Sequence, residues 1–174
     1  MFQRLLPDQI VSTVFDIDLQ ALKARGVSGI ITDLDNTLVS AKTANATPEL
    51  AAWLELVKRE GFRVVVLSNN NETRVSVFSK PLGIPFIPAA RKPLRAAFRR
   101  ALTLLGLSAS QAVVVGDQML TDILGGRRMG LHTILVTPIA TGEEGVGTRI
   151  NRKIEKIALS RLRKRGLWPE KEER

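Results

Sequence analysis

A three-layer α/β/α sandwich on a mainly parallel sheet is the architecture that this 174-residue chain calls for. Short β-branched segments alternate with helix-like segments, which signals parallel strands joined by helical crossovers. The strand-like segments are apolar along their whole length, as strands are when helices cover both faces. Polar clusters follow these segments at their carboxyl ends, where such folds bind ligands.

The elements follow in order. Residues 1–28 read as two short helices packed on the domain, the second ended by Gly26. The first strand spans 29–33. Thr47 and Pro48 then supply an N-cap and a first helical residue for a helix that stops at Gly61. RVVVLS at 63–68 is a strand by its β-branched run. A helix at 72–80, a short strand at 84–87, and an amphipathic helix from Pro93 to Gly106 come next. A strand at 112–115, a helix near 120–129 and a strand at 132–136 complete the core, with 137–148 read as a loop. The domain division is thus an N-terminal helical segment at 1–28, a core at 29–148 and a basic helix and tail at 149–174.

Composition narrows the chemistry. Apolar residues make up 44% and charged residues 25%, which excludes wholesale disorder and fibrous classes. With no cysteine and one histidine, His132, any metal must sit on oxygen ligands, which points to magnesium or calcium. His132 opens a strand and reads as structural. No apolar run approaches the roughly 20 residues needed to span a bilayer. The N-terminus, broken by Pro7 and carrying Asp8, Asp16 and Asp18, lacks the pattern of a secretory signal, so the expected compartment is the cytoplasm.

Four strand ends carry reactive groups: Asp33-Leu34-Asp35-Asn36-Thr37, Ser68-Asn69-Asn70, Arg91-Lys92-Pro93, and Gly116-Asp117-Gln118 with Asp122 a turn further on. Each type has a task in phosphoryl transfer. Carboxylates from separate strands hold Mg²⁺. A carboxylate can attack phosphorus, and a second acid can protonate the leaving oxygen. A lysine and a hydroxyl bind the equatorial oxygens. Any one of these residues alone is an ordinary helix cap, turn residue or solvated charge. Their conjunction at successive strand ends points to a site. Gly125-Gly126-Arg127-Arg128 lacks the pattern of a phosphate-binding loop and reads as a helix C-terminus.

In these residues the chain resembles the haloacid dehalogenase superfamily of phosphatases: DLDNT at 33–37, Ser68, Lys92, and GDQMLTD at 116–122. More of the text, from LLPDQIVSTVFDIDLQALKARGVSGIITDLDNTLV through LSNNNETRV and ARKP to VVVGDQMLTDILGGRRMGLHTILV, resembles the YqeG-type branch of subclass IIIA. That branch is similar to the mitochondrial phosphatidylglycerophosphatases. The resemblance implies Asp33 as nucleophile and Asp35 as acid/base. It implies Mg²⁺ on Asp33, Asp117 and the Asp35 backbone carbonyl, phosphate contacts from Ser68, Asn69 and Lys92, loop support from Thr37, and Asp122 as an acid that lies close to the metal or supports its ligands. The intervals from Thr37 to Ser68 and from Ser68 to Lys92 are too short for a cap domain. An open site suits a phosphate on something large, such as an anionic phospholipid head group.

The C-terminal stretch bears on that choice. Residues 149–168 hold eight basic residues and one acid, out of a net charge of +9 for the whole chain. Ile150, Ile154, Ile157, Ala158 and Leu162 fall at helical spacing among them, as in a basic amphipathic helix on an anionic membrane surface, with Trp168 at headgroup level. The same stripe would equally dock on the core. The leading expectation is a Mg²⁺-dependent phosphatase converting phosphatidylglycerophosphate to phosphatidylglycerol at the inner face of the membrane. Two alternatives are a soluble phosphatase for a nucleotide, sugar phosphate or phosphoprotein, and a nucleic-acid- or ribosome-associated protein using the basic tail. The complete set Asp33, Asp35, Lys92 and Asp117 argues against the last. The sequence assigns no oligomeric state.

Overall fold

Successive residues of the central strand enter opposite cores. In β2 (Gly29–Thr32), Ile30 joins one apolar cluster and Ile31 the other, the two-residue period of a strand covered on both faces. β3 (Arg63–Leu67) divides in the same way, Val64 and Val66 against Val65 and Leu67. β5 (Ala112–Gly116) sends Val113 and Val115 to one side and Val114 to the other. β2 lies between these two, with Thr32 level with Val66 and with Val115. β4 (Phe86–Ile87), β6 (His132–Val136) and β1 (Gln9–Val11) extend the sheet to six parallel strands in the order β1-β6-β5-β2-β3-β4. The computed structural model describes residues 2–140 and 146–168.

α1 (Leu19–Ala24), α2 (Pro48–Arg59) and α3 (Glu72–Ser79) cover the first core, and α4 (Arg95–Leu105) and α5 (Leu124–Met129) the second. Thr47 Oγ1 accepts from Leu50 N at 3.2 Å and Asn71 Oδ1 from Arg74 N at 2.9 Å, so α2 and α3 each start on a side-chain cap. After β4 the chain crosses to the far side of β2 to form β5. The carboxyl ends of β2, β3 and β5 therefore converge at the switch in strand order, where an open α/β sheet leaves a crevice.

Three expectations change. Residues 1–28 are not only helical: β1 joins the sheet beside β6, between single 3₁₀ turns at Phe2–Leu5 and Val14–Asp16. Asp8 seats it, its Oδ2 accepting from Thr133 N at 2.9 Å and Thr133 Oγ1 at 3.0 Å, with Arg127 paired to Oδ1. The segment 120–129 is two pieces, a π-helical turn at Met119–Ile123 followed by α5. The helix α6 (Val146–Lys164) starts inside the expected loop, of which 141–145 lie outside the described residues, as does the tail beyond Trp168. Arg127 and Arg128 lie in the last turn of α5, which ends before Gly130, and the two glycines ahead of them permit close packing. No helix among the described residues is long and apolar enough to cross a membrane.

A Cβ at Gly125 would lie 2.2 Å from the fully buried ring of Phe98 in α4; one at Gly126 would lie 2.8 Å from Thr133 Cγ2. Alanine gains roughly 1 kcal/mol in helix propensity over glycine, but overpacking a rigid core costs about 1–3 kcal/mol. Gly125→Ala should therefore be net destabilising by about 1 kcal/mol or more, read as a Tm drop of a few degrees in thermal denaturation. A variant as stable as the parent would show that α5 has room to lift from α4.

Candidate active site

Asp33 continues β2 for one more bond, its N–H donating to Val115 O at 2.9 Å, so its carboxylate emerges at the sheet's carboxyl edge. Lys92 Nζ lies 2.9 Å from Asp33 Oδ1 and 2.7 Å from Asp122 Oδ1. All three side chains are at least nine-tenths buried. Lys92 comes from the segment after β4 and is held there by Asn69 at the end of β3. Its N–H donates to Asn69 Oδ1 at 2.7 Å, and Asn69 Nδ2 donates to its carbonyl at 3.2 Å. The approach to Lys92 has Ala89 and Arg91 at left-handed φ of 46° and 58°, conformations that persist only where surroundings enforce them. Here Ala89 N bonds Asn70 O at 2.7 Å and Ala90 N bonds Ser68 O at 2.9 Å.

The end of β5 explains how Asp122 arrives. Its backbone N–H donates to Gln118 O, and its Oδ2 accepts from Gln118 N at 3.2 Å, which folds the carboxylate back over the strand end. A Cβ on Gly116 would sit 2.3 Å from Asp122 Cγ, so only glycine fits there. Asp117 is buried beside it and accepts from Thr37 Oγ1 at 3.0 Å, tying β5 to the loop after β2. Asn36 turns that loop in the left-handed region at φ 63°, which asparagine tolerates better than most residues.

The Asp35 carboxylate has partners of its own. It accepts from Asn70 Nδ2 at 2.9 Å and from Arg74 Nε at 3.0 Å, and Arg74 also reaches the carbonyls of Ser40 and Ala44. Ser68 is buried and its Oγ accepts from Asn70 N at 3.1 Å. Asp122 shares Lys92 with Asp33, close to the other carboxylates. Carboxylate oxygens of Asp33, Asp117 and Asp122 all lie within 4.8 Å of one another.

Three buried carboxylates around one ammonium set the electrostatics. Burial pushes the Asp33 carboxyl up to about 8; Lys92 opposes this, while Asp122 and Asp117 add to it. Burial alone would lower Lys92, but Asp122 and Asp33 outweigh it and hold the amine charged. The negative excess and the hard oxygen donors fit a divalent cation of the magnesium type. Elsewhere, burial lowers His132 despite Asp8 Oδ2 at 3.6 Å, as suits a neutral structural imidazole.

A cleft of about 300 Å³ opens over this centre. Asp33, Asn69, Lys92 and Gln118 line one side. Thr121 lines it too, with a buried Oγ1 that has no hydrogen-bond partner among the described residues. The other wall is α6, which contributes Thr148 and Asn151. That helix is docked: Glu155 Oε1 accepts from Leu120 N at 3.0 Å, and Ala158 and Leu162 are buried against Leu5 and Met119. Trp168 packs on the same cluster, not free at a headgroup level, whereas Ile150, Ile154 and Ile157 stay exposed. Sequence reasoning missed Arg74, Thr121, Thr148 and Asn151 and gave Asn70 no role of its own. The one available signal was the polar pair Thr148 and Asn151 at helical spacing in an otherwise basic and apolar stretch.

A family model described as HAD-hydrolase-like matches residues 89–155. The chain is 53% identical over 161 residues to a Bacillus subtilis protein named "Probable phosphatase YqeG", covering 92% of this chain and 93% of that one. It is 31% identical over 173 residues to the chloroplastic phosphatidylglycerophosphate phosphatase 1 of Chlamydomonas reinhardtii, covering 94% of this chain and 64% of that protein. The cobalt-bound deoxy-D-mannose-octulosonate 8-phosphate phosphatase of Haemophilus influenzae shares the fold, with a TM-score of 0.54 and 14% identity over 79% of this chain and 90% of that one. With its strand-end carboxylates and lysine arranged on this sheet, and with a near full-length relative at 53% identity, the chain belongs to the haloacid dehalogenase-like phosphatases.

Proposed function

We propose that this phosphatase hydrolyses phosphomonoesters through an aspartyl-phosphate on Asp33, that it uses Mg²⁺, and that its substrate is phosphatidylglycerophosphate, released as phosphatidylglycerol. The observation that carries the chemistry is Asp33 at the floor of the cleft, fixed by Lys92 beside Asp117. An Asp33 oxygen attacks phosphorus as the bond to the leaving alkoxide breaks, and Asp35 supplies the proton to that alkoxide. Water then attacks the acyl phosphate, gives its proton to Asp35, and frees Asp33 and inorganic phosphate. For this Asp35 must exchange Arg74 and Asn70 for the substrate side of the loop, a side-chain rotation. Lys92, Ser68 and Asn69 bind the phosphoryl oxygens, Thr37 holds Asp117, and Asp122 positions Lys92. Mg²⁺, held by Asp33, Asp117 and the Asp35 carbonyl, supplies the positive charge that keeps Asp33 ionised and neutralises phosphate oxygens.

The lipid assignment draws on the Chlamydomonas relative and on α6. Lys153, Lys156, Arg163 and Lys164 are exposed along this helix together with Ile150, Ile154 and Ile157, and Arg165 is exposed just after it. A docked helix with a basic, partly apolar outer face suits peripheral contact with the anionic cytoplasmic leaflet. Vesicle co-sedimentation over a salt series checks this. Binding should weaken steeply as salt rises, and salt-insensitive binding would contradict it.

Asp33→Asn should lower phosphate release by at least about 10⁴-fold, because an amide cannot serve as the nucleophile. The variant keeps Lys92 paired with Asp122, so it should unfold as cooperatively as the parent. Substantial turnover by a folded Asp33→Asn protein would refute the assignment.

Charge linkage yields a further expectation. Between its ordinary value of 3.8 and about 8, Asp33 keeps its proton in the metal-free folded chain and has lost it in the unfolded one. The folded state then binds more protons, so metal-free stability should fall as pH rises through that window. Lys92 is shifted upward and contributes stability throughout it. A cation that binds only the folded state raises Tm, and should do so more near pH 8 than near pH 5.5. Thermal scans with Mg²⁺ and with chelator at both values decide the point; an equal increment at both would show that Asp33 is not at the cation site.

A further inference from the structure

A second concavity adjoins the phosphate cleft. It encloses about 550 Å³, within the range of small-molecule pockets. Its floor is apolar: Leu5 from the N-terminal turn, Leu120 and Leu124 from the turn after β5, and Ile154 and Ile157 from α6. Arg4, Arg128 and Arg161, all exposed, stand around it. Ile154 and Ile157 are 48% and 56% exposed. Single exposed isoleucines are ordinary, but two that line a common groove with three leucines form a continuous apolar surface.

The groove and the cleft are built on the same two elements. Leu120 lines one and Thr121 the other, and on α6 Asn151 faces the cleft while Ile154, one turn later, faces the groove. The two cavities thus share both walls. From Asn151 to Ala158 the helix rises about 10 Å. That matches the reach of an extended head group built from two glycerols and a phosphodiester.

We propose that this groove binds an acyl chain of a glycerophospholipid whose terminal phosphomonoester occupies the cleft over Asp33, with the arginines of the rim facing the head group's inner phosphodiester. The assignment rests on the lipid reading above and adds the site that would select for the lipid. The chemistry of the groove carries it: an apolar trough bordered by guanidinium groups complements an anionic amphiphile, and its place beside the cleft on the same two elements fixes which end of that molecule lies where.

The test compares two soluble substrates below any micelle-forming concentration: the dioctanoyl form of phosphatidylglycerophosphate and its fully deacylated head group. Monomeric substrates remove any contribution from a membrane surface. The full chain should prefer the dioctanoyl form in kcat/KM by at least about tenfold, the gain from burying some two methylenes. In Ile154→Gln/Ile157→Gln, both at exposed positions, that ratio should collapse toward one through a raised KM for the acylated substrate. A parent ratio near one would overturn the groove while leaving the phosphatase reading standing. Turnover of p-nitrophenyl phosphate with none of either glycerol substrate would overturn the lipid reading itself. No turnover of any of the three would overturn the phosphatase reading. A ratio unchanged by the double substitution, with a change in sedimentation mass, would assign the groove to a second copy of the chain instead.

Discussion

The ammonium of Lys92, buried between Asp33 and Asp122, is the contact on which the site depends. It lets three carboxylates converge at the end of a sheet where water cannot shield them. Buried ion pairs seldom stabilise a fold on balance, yet removing one partner leaves a charge stranded in a low-dielectric interior. The structure accordingly fixes the lysine from several sides. Asn69 holds its backbone at both N–H and C=O, and the left-handed turns at Ala89 and Arg91 deliver it. Gly116 leaves the space that Asp122 fills. The remaining negative charge is what the proposed chemistry uses, since a cation and a phosphate both respond to it.

The fold was legible because its signals are local. Continuous β-branched runs marked the strands around β2, and glycine or proline marked the helix ends. β1 was not legible: Gln9–Val11 is three residues long, too short for a periodic pattern, and its place beside β6 depends on Asp8 and Thr133, 125 residues apart. The π-helical turn at Met119–Ile123 was hidden for a related reason, because its geometry follows from Asp122 folding back over Gly116.

Within the site, Asp33, Lys92 and Asp117 stood out through their conjunction after successive strands. The direction of a side chain did not. Asp35 is two residues from Asp33, yet its carboxylate is taken by Asn70 and by Arg74, from the start of α3. The amphipathic stripe on α6 was plain, but periodicity says that a face is apolar and not what covers it. The structure divides that stripe, burying Ala158 and Leu162 while exposing Ile150, Ile154 and Ile157. Glu155, the one acid in a strongly basic stretch, is the residue that anchors the helix to Leu120. As a result, a site without a cap domain still has a second wall, and that wall comes from the far end of the chain.

The proposed arrangement is most directly examined by anomalous diffraction from crystals soaked in Mn²⁺, a substitute for Mg²⁺ on oxygen ligands. One manganese peak should lie between carboxylate oxygens of Asp33 and Asp117, at about 2.0–2.3 Å, with Lys92 still paired to Asp122. A crystal saturated with Mn²⁺ that shows no peak at these carboxylates, or one in which the ion displaces Lys92 from Asp122, would contradict it.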